Sequence, residues 1–285
     1  VEIIHKGIIF RPSFTDPYSS EYYANFNHGA NLEKLHDSGC LAAWFSGPWE
    51  GHYQQRILLS RFNGVKWSPA KTLQNTHEGA DFDPAFVSNG ERIFLFYSNA
   101  RWFEPKLQAQ EKGFLGTYCR HSDDEGETWS EPRLVSERHA CKANGIVLEY
   151  GVMLIPVYDT EENRVGVFRS VNGGEDWDVF VTDGVEVDLV EPCIIEWMSG
   201  KIGMLSRTNS EMFWHCESKD HGVHWSLPEP AAIQCGNAPA SMLKLGEHSM
   251  IACNTSNSRK QLSIAFLDSF DYAIKQQTDV DWVDH

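Results

Sequence analysis

The stretch Ser122-Asp123-Asp124-Glu125-Gly126-Glu127-Thr128-Trp129 decides the fold of this 285-residue chain, because its frame recurs. The frame Ser-x-Asp/Asn-x-Gly-x-x-Trp returns at 170–177 and at 218–225, and a worn copy at 60–67 keeps its Ser, Gly and Trp. The tryptophans of the last three copies follow one another at intervals of 48 residues. A fixed period of this size indicates a repeat architecture with one supersecondary unit per period.

Short apolar runs precede each copy of the frame. In the block that ends at Trp129, residues 83–87, 93–97 and 116–120 are separated by Gly or Asn turns. Such β-branched and aromatic runs are too short for helices and fit antiparallel strands. Five blocks of this kind are visible, with room for one more strand after each Trp. The sequence therefore predicts an all-β chain, a β-propeller of four-stranded antiparallel blades in a single domain over residues 1–285.

The formal net charge of −16 argues against two classes of partner. Nucleic acids and anionic membrane surfaces both favour a basic protein surface, so we expect neither as a partner. No run of about 18 apolar residues occurs, which predicts no membrane-spanning segment. The sequence does not decide the oligomeric state.

The seven cysteines are scattered without a C-x-x-C pair, and most lie in apolar runs such as 191–195. Their odd number and apolar settings favour buried, reduced thiols, and hence a cytoplasmic location. A secreted or periplasmic location would follow instead if a leader had been removed. The nearest histidine pair, His221 and His224, lies inside a turn of the frame, so we expect neither a metal nor another cofactor.

The frame resembles the Asp-box, or BNR repeat, of the sialidase (neuraminidase) superfamily, and the resemblance extends over about residues 28–270. It implies a sialidase-like propeller of six blades, although five repeat blocks are visible. It also implies that Asp124, Asn172 and Asp220 cap turns and take no part in catalysis.

The resemblance further implies that the active site lies where the innermost strands begin. Polar residues open the first strands of the blocks and close the second strands, and we expect these side chains to bind substrate or catalyse its reaction: His28, Asp83, Asn144, Glu191 and Asn237 at the openings, Tyr158, Asp159 and Arg207 at the ends. A ring of acids, amides, His and Arg around one opening is what carbohydrate recognition needs.

Sialidases hold a sugar carboxylate with three arginines and use a Tyr nucleophile supported by a Glu. By position, Glu191 resembles that Glu, Arg207 resembles the second arginine and Arg259 resembles the third. The sequence departs from the family where His28 stands in place of the first arginine. The loop 47–53 offers Glu50 or His52, and no Asp, where the acid/base is expected, and no tyrosine can be assigned as nucleophile.

The leading hypothesis is a sialidase-like, exo-acting glycoside hydrolase that removes a terminal sugar from a glycan or oligosaccharide. Glu50 would be the general acid and Glu191 the second carboxylate or its helper, and the sugar would be held by Arg207, His28 and Asp83. The chain would bind a carbohydrate substrate that is uncharged or uronic, since the arginine set is incomplete.

Two alternatives stay open. A polysaccharide lyase on the same fold would use His28 or His52 as base and a tyrosine such as Tyr158 as acid. A non-catalytic carbohydrate-binding propeller would need no nucleophile.

Overall fold

The computed structural model describes residues 8–10, 26–37, 39–77, 79–101, 113–246, 248–254, 262–267, 272 and 274–280. The chain divides into two compact units, Val1–Cys141 and Lys142–His285. The prediction of one domain over 1–285 stays a prediction. In the described ranges, no helix has the length and apolar character needed to cross a membrane.

The first unit contains two four-stranded antiparallel sheets, each with its strands in sequence order. The first sheet is formed by β1 (Phe26–Lys34), β2 (Cys40–Gly47), β3 (Arg56–Phe62) and β4 (Lys71–Gln74). The second is formed by β5 (Ala80–Ser88), β6 (Ile93–Arg101), β7 (Gly113–Ser122) and β8 (Arg133–Ser136), and the short strand β9 (His139–Cys141) follows it.

The second unit contains three sheets with the same strand order. The third sheet runs through β10 (Ile146–Val147), β11 (Met153–Asp159), β12 (Val165–Ser170) and β13 (Asp178–Val181), with a 3₁₀ turn at Glu149–Gly151. The fourth comprises β14 (Leu189–Met198), β15 (Lys201–Thr208), β16 (Met212–Ser218) and β17 (Glu229–Gln234). The fifth comprises β18 (Ser241–Leu245), β19 (His248–Asn254), β20 (Leu262–Leu267) and β21 (Ile274–Val280).

These sheets confirm the all-β class and the five predicted four-stranded blades. The described part of the chain contains no sixth sheet of this kind. The second strands of the first four sheets are buried on both faces, as in β6, where every residue except Arg101 is buried, whereas buried residues alternate with less buried ones in β19. This explains why those runs are continuously apolar and do not alternate with polar residues.

The repeated frame forms the turn between the third and fourth strands of its sheet. Ser122 Oγ accepts the N–H of Gly126 at 2.8 Å and donates to Asp124 Oδ1 at 2.8 Å. Asp124 Oδ1 also accepts the N–H of Thr128 at 2.8 Å, and Trp129 Nε1 donates to the Gly126 carbonyl at 3.1 Å. The predicted turn-capping role of Asp124 is confirmed, because its carboxylate closes the turn on itself.

The later copies of the frame repeat this pattern. Gly174 and Gly222 donate their N–H to Ser170 and Ser218 at 2.9 Å each, and Asn172 and Asp220 accept N–H groups four residues on. In the worn copy, Ser60 Oγ donates instead to the Ser68 carbonyl at 2.8 Å. The capping roles of Asn172 and Asp220 are thus confirmed as well.

A β-bulge interrupts the first strand of three sheets at the corresponding place. The register between the first and second strands shifts at 28–31, 82–85 and 190–193. The backbone there has a positive φ, of 64° at Gly29, 51° at Asp83 and 48° at Glu191. A non-glycine residue in this region costs roughly 1–3 kcal/mol, and it persists where the surrounding fold imposes it, often at functional sites.

Candidate functional site

A cleft of about 380 Å³ lies in the second unit, where β11 and β15 end and β14 begins. Its walls come from three short stretches and one isolated residue: 158–163, 188–190, 207–209 and Asn237. Four of the predicted site residues, Tyr158, Asp159, Arg207 and Asn237, therefore lie together in one cleft. The clustering arises because strand ends of neighbouring antiparallel hairpins meet at the same edge of their sheets.

Arg207 organises this cleft through two contacts. Its Nη1 lies 2.6 Å from Glu191 Oε2, and its Nε donates to Asn237 Oδ1 at 3.0 Å. The side chains of Arg207 and Glu191 are only 22% and 16% exposed. A short, charge-assisted hydrogen bond between partly buried groups holds both side chains more firmly than a surface ion pair would.

The backbone explains how Glu191 reaches Arg207. Val190 is the cross-strand partner of Arg207, and the bulge begins at the next residue, Glu191, which is followed by Pro192. Without the bulge, the side chains of Val190 and Glu191 would point to opposite faces of the sheet. The positive φ of Glu191 re-aims its side chain, which is what β-bulges at functional sites commonly do.

Carboxylates dominate the rest of the cleft. Asp159 is buried, and its Oδ1 accepts the backbone N–H groups of Glu161 and Glu162 at 2.9 and 3.1 Å. Asp188 Oδ2 accepts the side-chain N–H of Asn209 at 2.7 Å. These contacts fix the turn after β11 and the entry to β14 as walls of the cleft.

Nine residues of this wall were not predicted from the sequence: Thr160, Glu161, Glu162, Asn163, Asp188, Leu189, Val190, Thr208 and Asn209. Thr208 and Asn209 directly follow the predicted Arg207, so the end of the same apolar run was a signal for them. Glu161 and Glu162 lie in a charged turn, which has the same appearance as any solvated turn.

One further predicted residue of the second unit lies elsewhere, and another is outside the described residues. Asn144 is partly buried ahead of β10 and does not line the cleft. Arg259 falls in 255–261, outside the described residues. Their roles in binding substrate stay predictions.

In the first unit, the structure brings His28 and Glu50 together. His28 Nδ1 lies 3.9 Å from Glu50 Oε1, with the side chains 49% and 58% exposed. The His28 ring packs against Phe26 and Phe45, with centroid distances of 5.6 and 5.4 Å. A solvent-exposed pair contributes only about 0–1 kcal/mol, so the contact holds neither side chain firmly.

His52, in contrast, is buried in its own loop. Its Nδ1 accepts the N–H of Gln54 at 3.1 Å, and its ring packs 4.3 Å from the rings of Trp49 and Tyr53. The acceptor role of Nδ1 places the proton of the neutral ring on Nε2. His52 therefore shapes the loop that carries Glu50.

Gln55 anchors that loop to the second sheet. It is buried, its Oε1 accepts the Gly51 N–H at 2.8 Å, and its Nε2 donates to the Asp81 carbonyl at 2.8 Å. Its backbone carbonyl accepts the Asp81 N–H at 3.1 Å. Two sheets of the first unit are thus tied at the loop that carries Glu50.

Asp83 is buried at the bulge of β5, and its carbonyl accepts a weak hydrogen bond from Cys141 Sγ at 3.7 Å. Glu50 and Glu191 lie in different compact units, so the predicted pairing of their carboxyl groups stays a prediction. The described residues include no group of three or more His, Cys, Asp or Glu side chains arranged to hold a metal ion.

Comparison with known proteins agrees with this architecture. The sequence matches an anhydrosialidase of Macrobdella decora at 26% identity over 147 residues, which is 46% of this chain and 18% of that protein. The fold matches a Dyadobacter fermentans protein of unknown function with a TM-score of 0.76 at 15% identity, over 90% of this chain and 83% of the other. It also matches the intramolecular trans-sialidase of Ruminococcus gnavus with a TM-score of 0.71 at 14% identity, over 91% and 86% of the two chains.

The two structural matches, each over about nine-tenths of the chain, show that the fold is a sialidase-like β-propeller. The family model for the BNR repeat-like domain matches residues 39–274, which include all four copies of the frame and the whole of the cleft wall. The chain therefore belongs to the BNR repeat-like family of the sialidase superfamily.

Proposed function

We propose that this protein is a glycoside hydrolase that removes a terminal sugar from a glycan, with the cleft of the second unit as its sugar-binding site. The observation that carries the proposal is the Arg207–Glu191–Asn237 arrangement. A strained bulge, a short ion pair and an amide contact hold three polar groups at one cleft. Holding polar groups in fixed positions is what binding and catalytic sites need.

Similarity to sialidases supports the class of reaction. The Ruminococcus gnavus protein of the same fold is an intramolecular trans-sialidase, and the Macrobdella decora relative is an anhydrosialidase. In the proposal, Glu191 is the second carboxylate of the site, and the general-acid role of Glu50 stays a prediction.

The test is a panel of aryl glycosides and oligosaccharides incubated with the parent protein and with Glu191→Gln. We expect the parent to release a terminal sugar and the variant to lose about 100-fold or more in kcat/KM, as is typical when an acid–base partner is removed. Lys201 and Glu217 form an equally exposed ion pair, 21% for each side chain, in the same sheet and outside the cleft. Glu217→Gln is therefore the matched control and should keep full activity.

A carbohydrate-binding protein without turnover is the second candidate, because Glu50 is largely exposed and its contact with His28 is long. Glycan binding with no product from the parent would favour it over hydrolysis. An unsaturated, ultraviolet-absorbing product would instead favour the lyase, for which Tyr158 in the cleft wall is the candidate acid.

A further inference from the structure

The contacts of Arg207 leave no unhindered fork for a carboxylate. A guanidinium binds a carboxylate bidentately through two neighbouring N–H groups, either Nε with Nη2 or Nη1 with Nη2. Nε already donates to Asn237 Oδ1 at 3.0 Å, which occupies one member of the first pair. A carboxylate on the second pair would lie beside Glu191, whose Oε2 is 2.6 Å from Nη1.

The charge of the cleft wall also disfavours binding of a carboxylate. Four acidic side chains line it, Asp159, Glu161, Glu162 and Asp188, and Arg207 is the one Lys or Arg among the lining residues that the structure describes. Glu162 pairs with Arg164, just outside the wall, at 2.8 Å, so the described acids still outnumber the bases. Glu191 already neutralises Arg207. Like charges at close range repel one another, and the repulsion is stronger in a partly buried cleft than in water, so an anionic sugar is disfavoured.

The same wall suits the hydroxyl groups of a neutral sugar. Carboxylate and amide oxygens accept hydrogen bonds, and sugar hydroxyls donate them. The carboxylates of Asp188 and Asp159 are held by Asn209 and by backbone N–H groups, which keeps their positions fixed for such donors. The ammonium group of an amino sugar would, in addition, be attracted by the net negative charge of the described lining residues.

We propose that the cleft takes pyranosides without a carboxylate, neutral or amino sugars, and rejects sialic acids and uronic acids. The proposal rests on the proposed function, in that the cleft is taken as the sugar site. In this proposal, the negative charges of Glu191, Asp188 and Glu161 repel anionic sugars and so determine which substrates bind.

The test compares methyl glycosides that differ in one group. Methyl β-D-glucoside and methyl β-D-glucuronide form one pair and the two galacto analogues form another, with methyl β-D-glucosaminide as the cationic probe. Affinities are measured by titration calorimetry or ligand-observed NMR in about 0.15 M salt, where charges more than about 8 Å from the sugar are screened. We expect each uronide to bind at least about tenfold more weakly than its neutral partner.

Charge variants give the second arm. The double variant Asp188→Asn, Glu161→Gln should reduce the ratio of the affinity for the neutral glycoside to the affinity for the uronide by about tenfold. The control Asp178→Asn, Glu217→Gln removes the same two charges from residues outside the cleft and should leave the ratio unchanged. A uronide that binds as tightly as its neutral partner, or a ratio that the cleft variant does not change, would overturn the proposal.

Binding and turnover separate this proposal from the proposed function. If the chain binds the neutral pyranosides selectively and hydrolyses nothing, hydrolysis fails and the selectivity stands. If the chain hydrolyses glycosides but prefers the carboxylated member of each pair, the selectivity fails and hydrolysis stands.

Discussion

At the scale of single residues, Asp81 of the first unit is a fully buried carboxyl next to the loop that carries Glu50. Its oxygens accept the N–H and O–H of Thr76 at 2.7 Å each and the side-chain N–H of Asn99 at 2.8 Å. Burial raises the pKa of Asp81 to about 6, and the hydrogen bonds only partly oppose that effect. The carboxyl stabilises the fold through these hydrogen bonds, although burial disfavours its charged form.

The raised pKa has a defined consequence for stability. A carboxyl whose pKa is higher in the folded state binds its proton more tightly there, so folding is favoured below the folded pKa. The contribution declines as pH rises from about 4 to about 6 and then stays constant. The total change from this one group is about 3 kcal/mol, because each pKa unit corresponds to about 1.4 kcal/mol.

Replacement of Asp81 by Asn isolates this effect. We expect the difference in unfolding free energy, parent minus Asp81→Asn, to fall between pH 4 and pH 6 and to be level above pH 7. Urea unfolding at half-unit pH steps measures it, with Asp178→Asn on an outer strand as the control. A difference that does not depend on pH would show that Asp81 titrates normally.

At the scale of elements, the loop 47–55 is a separate structural unit whose shape depends on one side chain. The side chain of Gln55 connects the loop to the second sheet, because it bonds to Gly51 of the loop and to Asp81 of the sheet. Substitution by Leu would remove the side-chain partner of the buried Asp81 carbonyl, at about 1–3 kcal/mol, and that of the partly buried Gly51 N–H, at a smaller cost. It would also release the loop that carries Glu50 and His52.

We therefore expect Gln55→Leu to lower stability by about 2–4 kcal/mol and to speed amide hydrogen exchange in residues 48–54. Gln54→Leu is the matched control, because Gln54 contributes its backbone N–H and carbonyl to the loop. If glycosidase activity is found, it should fall in Gln55→Leu and not in Gln54→Leu. Unchanged exchange in the loop would show that Gln55 does not hold it.

The sequence was most informative about the secondary-structure elements, that is, the strands and the turns between them. The Ser-x-Asp/Asn-x-Gly-x-x-Trp frame is a local device, since Ser122, Asp124 and Gly126 bond to one another within the turn. Its period therefore predicted the turns, the strands between them and the five sheets. The bulges at Asp83 and Glu191 were not predicted, because a positive φ at a non-glycine residue is imposed by the packing of the strands around it.

At the scale of the whole molecule, the sequence predicted only those residues of the site that lie at the ends of apolar strands. Glu191 and Arg207 were expected to open and close one hairpin, and they lie 2.6 Å apart. The acids Glu161 and Glu162 were missed, because their sequence is that of an ordinary turn. His52 was considered as a base from its residue type, although the structure buries its ring between Trp49 and Tyr53.

The cysteines report on the integrity of both units at once. All seven are free, Cys40 is partly buried, and the other six are buried. Burial raises the pKa of Cys253 to about 12 and also raises the pKa values of Cys40, Cys119, Cys193 and Cys216, so the difference for Cys40 is its partial exposure. Because the thiolate is the reactive form and reagents cannot reach a buried sulfur, native labelling should be confined to Cys40.

We expect a thiol-specific reagent to label one of the seven cysteines within minutes in the native protein and all seven after denaturation without a reductant. Peptide mapping should identify Cys40 as the fast site. Cys193, Cys235 and Cys253 share one apolar core of the second unit, so they should become reactive together as denaturant is raised. Early labelling of any one of these three, or fewer than seven thiols in the denatured chain, would contradict a packed second unit with reduced cysteines.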